Sequence, residues 1–256
     1  MKKRVITISA IVAGIIVIGA LFLFVLLPRL MIYKSVQEFI LGMGKSAEYF
    51  TEYSVTNDSF SLVDNGEFSV KIPYGLELQD EISENLMAYE NSDESMHVLM
   101  IKGYDASHLN MFDPENYTDV SETDMHMELE ELTEGFEIIG KGYPDSAYGS
   151  LKCMHLIDSD DYNFWDLKSA RIFAVMGYFK AASEPLMGHD IFIYEQEKIC
   201  GIVGLSCREN ADTGSATYNV QFEFFKTDDL NTEYVLIIRA ESLDEAYAII
   251  NSVEFI

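Results

Sequence analysis

Chemistry requires side chains that carry protons, metals or electron pairs at spacings that let them converge. The five histidines are His97, His108, His126, His155 and His189. They form neither His-x-x-x-His nor His-Glu-x-x-His, so zinc-dependent hydrolysis has no support. His126 lies among Glu and Asp residues that would raise its pKa, and it reads as a surface group. His155, between Met154 and Leu156, reads as part-buried in a strand. Asp158, Asp160 and Asp161 resemble the start of a calcium loop. However, Asn163 stands where that loop needs glycine and Ser169 where it needs glutamate. An acidic turn with weak affinity for cations is what remains. Gly201-Ile202-Val203-Gly204-Leu205-Ser206 lacks the order of a nucleophile elbow, and Gly140-Lys141-Gly142 is not a phosphate-binding loop. The carboxylates are too many to single out a glycosidase pair without geometry. The sequence therefore names no catalytic residue, no metal ligand and no cofactor.

Two groups of side chains are candidates for other roles. Tyr162, Phe164 and Trp165 lie beside Asp160, Asp161 and Asp166; aromatic rings among carboxylates are a recognition surface for a protein or a glycan, or else part of a core. Cys153, Cys200 and Cys207 are candidates for a disulfide whose pairing the sequence leaves open. In one straight strand Cys200 and Cys207 would stand ~23 Å apart on opposite faces. A turn at Gly204 would bring them together, and Cys153 has the option of pairing with either across neighbouring strands. The alternative is three buried thiols acting as small apolar groups.

The elements that would position these groups begin with a membrane segment. Met1-Lys2-Lys3-Arg4 precedes Val5–Pro28, an uncharged run mostly of Ile, Val, Leu, Ala and Phe. At 1.5 Å per residue it spans about 36 Å, more than the roughly 30 Å of a bilayer's hydrocarbon core. It is longer than a signal peptide's apolar region and ends without an Ala-x-Ala site. An uncleaved signal-anchor helix over 5–28 is expected, with residues 1–4 in the cytoplasm and the remainder outside.

Charge divides at the same place. The chain has 256 residues, with 17 Lys+Arg against 43 Asp+Glu and a net charge of −26. Lys2, Lys3, Arg4 and Arg29 fall in the first 29 residues with no acidic group, so the rest carries 13 basic and 43 acidic residues, a net of −30. Such a domain is repelled by phosphates, which argues against nucleic acid as a partner, and its field favours cations or a basic protein. Residues 76–135 hold 17 Asp/Glu and one base, Lys102, a candidate docking face for such a partner.

Residues 29–59 read as a juxtamembrane stem, with Ile32, Val36, Phe39, Ile40 and Met43 at helical spacing. A globular domain is expected over 60–256. Asp64-Asn65-Gly66 signals a turn into a strand at Phe68, Val70 and Ile72. Leu86 to Glu90 and Met96 to Ile101 pair as a hairpin. Asp113-Pro114 opens a helix reaching Gly135, and Phe136 to Gly140 follows as a strand. Leu151 to Ile157 reads as another strand, whereas 167–179 fits helix or strand. Ile191 to Tyr194, Ile199 to Leu205, Tyr218 to Phe225 and Tyr234 to Ile238 complete the strands. Ser242 and Glu245 cap a final helix, and Val253 to Ile256 adds an edge.

Asn65-Gly66-Glu67-Phe68-Ser69-Val70-Lys71-Ile72-Pro73-Tyr74-Gly75 resembles the opening of PsbP/Mog1-like domains, aromatic and hydrophobic positions alternating into a Pro-x-Gly. The strand at Tyr234–Ile238, the helix over Ser242–Ser252 and Val253-Glu254-Phe255 are similar to their close. The resemblance implies an α+β domain built as an α/β/α sandwich around a central antiparallel sheet. It also implies a bacterial, membrane-anchored protein that binds other proteins, and it transfers no catalytic residue. The expected function is a non-catalytic extracytoplasmic protein-binding or envelope-scaffolding module, tethered to the lipid bilayer through residues 5–28. The alternative is a cell-surface hydrolase.

Overall fold

The computed structural model describes residues 16–42, 47–51, 59–79, 83–110, 145–157, 161–166, 170, 173, 190–209 and 216–256. The helix expected from Asp113, the strand at 136–140, His126, His189 and nearly all of 167–188 lie outside the described residues. The chain divides into two compact units, one of Met1–Lys45, Asp119–Gly142 and Ile157–Ala181, the other of Ser46–Thr118, Tyr143–Leu156 and Ala182–Ile256.

In the first unit the chain is helical from residue 16, passes through a π-turn at Phe22–Leu26, and continues as α1, Leu27–Gly42. Pro28 accounts for the π-turn. It has no N–H to offer Phe24 and its ring crowds that carbonyl, so the helix widens and Leu27 N–H reaches back five residues to the Phe22 carbonyl. Ile16–Lys34 is long and apolar enough to cross a membrane, and only 6% of it is buried. Phe24 is 78% exposed. A core helix would hide such residues.

The second unit is mixed α and β. Eight strands form a large sheet: β1 (Glu48–Tyr49), β4 (Glu77–Leu78), β5 (Leu86–Glu90), β6 (His97–Asp105), β7 (Asp190–Glu195), β8 (Ile199–Glu209), β9 (Ala216–Lys226) and β10 (Asp229–Ala240). Their order is β1-β7-β8-β9-β10-β6-β5-β4. All pairings are antiparallel except β1 with β7. A second sheet of order β11-β3-β2 is made of β2 (Phe60–Asp64), β3 (Phe68–Pro73) and β11 (Glu254–Phe255). The opening strand expected from the sequence thus belongs to a small separate sheet. The large sheet also recruits Glu48 and Tyr49, from the segment read as stem, and Phe50 packs on Phe192, Tyr194 and Tyr247.

Alternation explains which face is core. In β9, Val220, Phe222 and Phe224 point to one side; in β10, Leu236 and Ile238 point to the same side. Phe68, Val70 and Ile72 of β3 and Ala246, Ile249 and Ile250 of α3 (Leu243–Ile250) close over them. Aromatic rings dominate: Phe224 stacks on Phe222 at 4.8 Å and meets Phe68 edge-on at 5.1 Å. Each such fully buried ring contributes about 1.5–3 kcal/mol. The turn into β3 depends on Gly66 at φ +88° and on Asn65, whose Oδ1 accepts from the amides of Glu67 and Phe68. The Ser242 hydroxyl accepts from the Glu245 amide at the start of α3, as the capping pattern requires.

The opposite face carries α2, Ala147–Leu156. This corrects the strand expected over Leu151 to Ile157. Five apolar residues in seven look like a buried strand, but Ala147, Tyr148, Leu151, Met154 and His155 are buried together, the spacing of one helical face. The Ser146 hydroxyl caps the helix by accepting from the Gly149 amide at 3.1 Å, and Asn231 Oδ1 accepts from the Ala147 amide.

Candidate functional site

The strand register gathers ionisable side chains in one row on the α2 face of the large sheet. Tyr104 stands opposite Glu233, Glu233 opposite Phe225, Phe225 opposite Cys200, and Cys200 opposite Glu195. Directly opposed residues share a face. Glu223 lies on the same face, opposite Val235.

A β-bulge creates the Tyr104–Glu233 end. The register of β6 on β10 shifts between Glu233 and Val235, so Lys102 and Gly103 together face Tyr234. Gly103 is required there, because a Cβ would fall 2.7 Å from the Tyr234 ring and 2.8 Å from the Thr232 methyl. Its amide instead donates to Glu67 Oε2 at 2.8 Å. Beyond the bulge, Tyr104 stands directly opposite Glu233 across the two strands. Glu233 is 2% exposed, and its Oε2 has no hydrogen-bond partner among the described residues.

The electrostatics follow from that burial. The Glu233 pKa is pushed up to about 7, first by desolvation and then by the negative charge of Glu223, against the opposing influence of the Tyr104 phenol. Desolvation also raises Glu223, although Gln221 Nε2 donates to its Oε1 at 2.6 Å. Tyr104 is raised by burial and by the two carboxylates. This end of the row holds a carboxyl group that exchanges its proton near neutrality, beside a second carboxylate and a phenol.

The far end is chemically quiet. Glu195 accepts from the Tyr148 hydroxyl at 3.0 Å and pairs with the Lys152 ammonium. Burial works against the charged Lys152, but Glu195 outweighs it and the pKa is raised. Cys200, between them and Phe225, has its thiol pushed up to about 12, chiefly by burial. It is not a nucleophile at neutral pH.

The disulfide candidates do not meet in a bond. Cys153, Cys200 and Cys207 are thiols. Strand β8 runs from Ile199 to Glu209 without a turn at Gly204, so Cys200 and Cys207 lie on opposite faces, Cys200 buried and Cys207 exposed. His155 is fully buried, and in α2 rather than in a strand. His97 lies on the α2 face of the sheet between Glu90 and Arg239; burial and Arg239 lower its pKa against the pull of Glu90. Among the described residues no cluster of His, Cys, Asp and Glu is arranged to hold a metal ion.

In the first unit, Tyr162, Phe164 and Trp165 do come together, against the helix that follows the apolar run. The Tyr33 ring lies 6.1 Å from Tyr162 and 6.3 Å from Phe164; Phe164 meets Trp165 edge-on at 5.1 Å, and Tyr162 meets Phe173 at 5.3 Å. Tyr162 and Phe164 are half-buried, whereas Trp165 is 69% exposed. Arg29 binds across to this segment, its Nη2 donating to the Trp165 carbonyl at 3.1 Å while Nη1 donates to the Val25 carbonyl at 2.6 Å.

Sequence reading missed Tyr104, Glu223 and Glu233. The signal available was the unbroken apolar run Tyr234-Val235-Leu236, which means both faces of β10 are covered and places the adjoining Glu233 under cover too.

No protein-family model matches the chain, and no curated protein matches it. A solved structure from Bacteroides thetaiotaomicron VPI-5482 is similar over 77% of this chain and 48% of its own, with 8% identity and a TM-score of 0.33. The chain therefore spans about half the length of that protein.

Proposed function

We propose that the chain is a single-pass membrane protein, with its amino terminus in the cytoplasm, whose extracytoplasmic PsbP/Mog1-like domain binds a basic protein partner in the envelope without catalysis. The helix α2 on one face of the large sheet and α3 on the other support the α/β/α arrangement that this reading requires. The exposed apolar Ile16–Lys34 helix supports the tether.

The observation that carries the binding reading is the acidic edge of the large sheet. Strand β4 is terminal, and its Glu77 stands directly opposite Glu90 of β5. Like charges in direct cross-strand register repel. Glu84, Asp93, Glu94 and Asp105 lie on or beside β4, β5 and β6, with Lys102 as the only Lys or Arg among the described residues 76–110. A basic segment laid along β4 would gain both backbone pairing and relief of that repulsion. The test is a photo-crosslinker at Leu78, which is 50% exposed, in the full chain in its native membrane. A discrete protein adduct that disappears in the Glu77→Lys, Glu90→Lys variant supports the reading; an adduct indifferent to those changes, or none, opposes it.

The Glu233–Glu223–Tyr104 cluster favours a second reading, the cell-surface hydrolase. A carboxyl poised near neutrality beside a carboxylate is the pairing that general acid–base catalysis uses. Hydrolysis of a surface substrate that is lost in Glu233→Gln, with the fold intact, would favour it.

A further inference from the structure

We infer that residues 161–166 form a second contact with the bilayer, remote in sequence from the anchor, in which Trp165 is seated among the lipid headgroups. This inference rests on the reading of the apolar helix as a membrane span.

If the hydrocarbon core is filled by about 20 residues beginning at Val5, the helix leaves it near Phe24. Val25 to Arg29 then crosses the headgroup layer, about 7 Å thick, and Tyr33 lies just outside it. Arg29 ties Trp165 to that layer directly, donating to both the Val25 and the Trp165 carbonyls. Tyr33 holds the same segment through Tyr162 and Phe164. The segment therefore lies alongside the last turns of the span.

The composition fits the same layer. Trp and Tyr concentrate at membrane–water interfaces, where a large ring lies against acyl chains and its N–H or O–H reaches water and headgroups. Arg29 is the cation expected beside the phosphates. Trp165 is the large aromatic left outside the packing of this cluster, at 69% exposed against 40% for Tyr33. In water that exposure has an apolar cost; at the bilayer surface it is the contact itself. The acidic character of the rest of the chain makes a zwitterionic surface the appropriate lipid.

Trp165 is the single tryptophan of the chain, so intrinsic fluorescence reports on it alone. The full chain is reconstituted into phosphatidylcholine vesicles, some carrying acyl chains brominated close to the glycerol and some brominated near the chain ends, and is floated on a density gradient. The expected result is co-flotation, emission blue-shifted from that of tryptophan in water, strongest quenching by the shallow bromines, and weak quenching by aqueous acrylamide. Co-flotation with emission that acrylamide quenches fully and no bromine quenches would overturn this inference while leaving the span intact. Failure to co-float would overturn the span reading itself, and this inference with it.

Discussion

A bulge in β6 sets Tyr104 directly opposite Glu233 of β10. The same bulge is where Gly103 gives up its place in the ladder and turns its amide to Glu67. The arrangement leaves a nearly buried carboxyl beside Glu223, and pH dependence follows.

Folding raises the Glu233 pKa from 4.5 to about 7, so folding takes up a proton between those values. The contribution to stability is fully present below about pH 4.5 and is lost as pH rises through about 7. The loss is about 3 kcal/mol for this carboxyl. Glu233→Gln removes it: the variant should unfold at a higher temperature than wild type at pH 8 and at a similar temperature at pH 4.5. A difference in melting temperature that does not change with pH would contradict the assignment.

Gly201 sits in the middle of the large sheet with no room for a side chain. A Cβ would lie 2.2 Å from the Glu223 carbonyl oxygen and 2.9 Å from the Phe222 ring. Since a backbone oxygen cannot swing aside, Gly201→Ala should cost about 3 kcal/mol. Chemical denaturation should show a lower midpoint; an unchanged midpoint would mean that β8 and β9 are further apart than described.

Phe224 touches Phe222, Phe68, Tyr234 and Phe255 and is completely buried. Phe224→Ala leaves a cavity where both sheets and α3 meet, at a cost of about 3–5 kcal/mol. The same truncation at Leu62, which is 65% exposed, should change stability by less than about 0.5 kcal/mol. Comparable losses at the two positions would place the core elsewhere.

Arg29 is the link between the apolar helix and the Trp165 segment. Arg29→Ala removes the donor to the Trp165 carbonyl, so aqueous acrylamide should quench the single tryptophan more strongly in vesicles, with the anchoring of the helix unchanged. Identical quenching in the two proteins would show that the Tyr33 contacts hold the segment alone.

What was legible in the sequence is what depends on period. Tyr218 to Phe225 alternates strictly, and the strand is there as Ala216–Lys226. The described part of the apolar run, from Ile16, is an exposed helix, because no periodicity is needed to recognise uniform hydrophobicity. Asn65-Gly66 is a turn, because only certain residues accept its backbone. Helix α2 is hard to read from sequence because Leu151, Cys153, Met154 and His155 are all buried, which blurs the period, and Gly149 disguises the helical interior. Its cap, Ser146, was the signal to weigh. The Tyr104–Glu233 pair was illegible for another reason: it exists only through a bulge and a register between strands distant in sequence. The contact of Arg29 with Trp165 spans 136 residues and has no local pattern at all.

In the proposed topology the apolar helix holds the acidic domain outside the cell, and Cys207 offers a direct test. It is exposed on β8, whereas Cys153 and Cys200 are buried. A membrane-impermeant maleimide added to intact cells should label the wild-type chain, and the label should vanish in Cys207→Ser. Labelling that appears only after the membrane is permeabilised would put the domain in the cytoplasm and contradict the account.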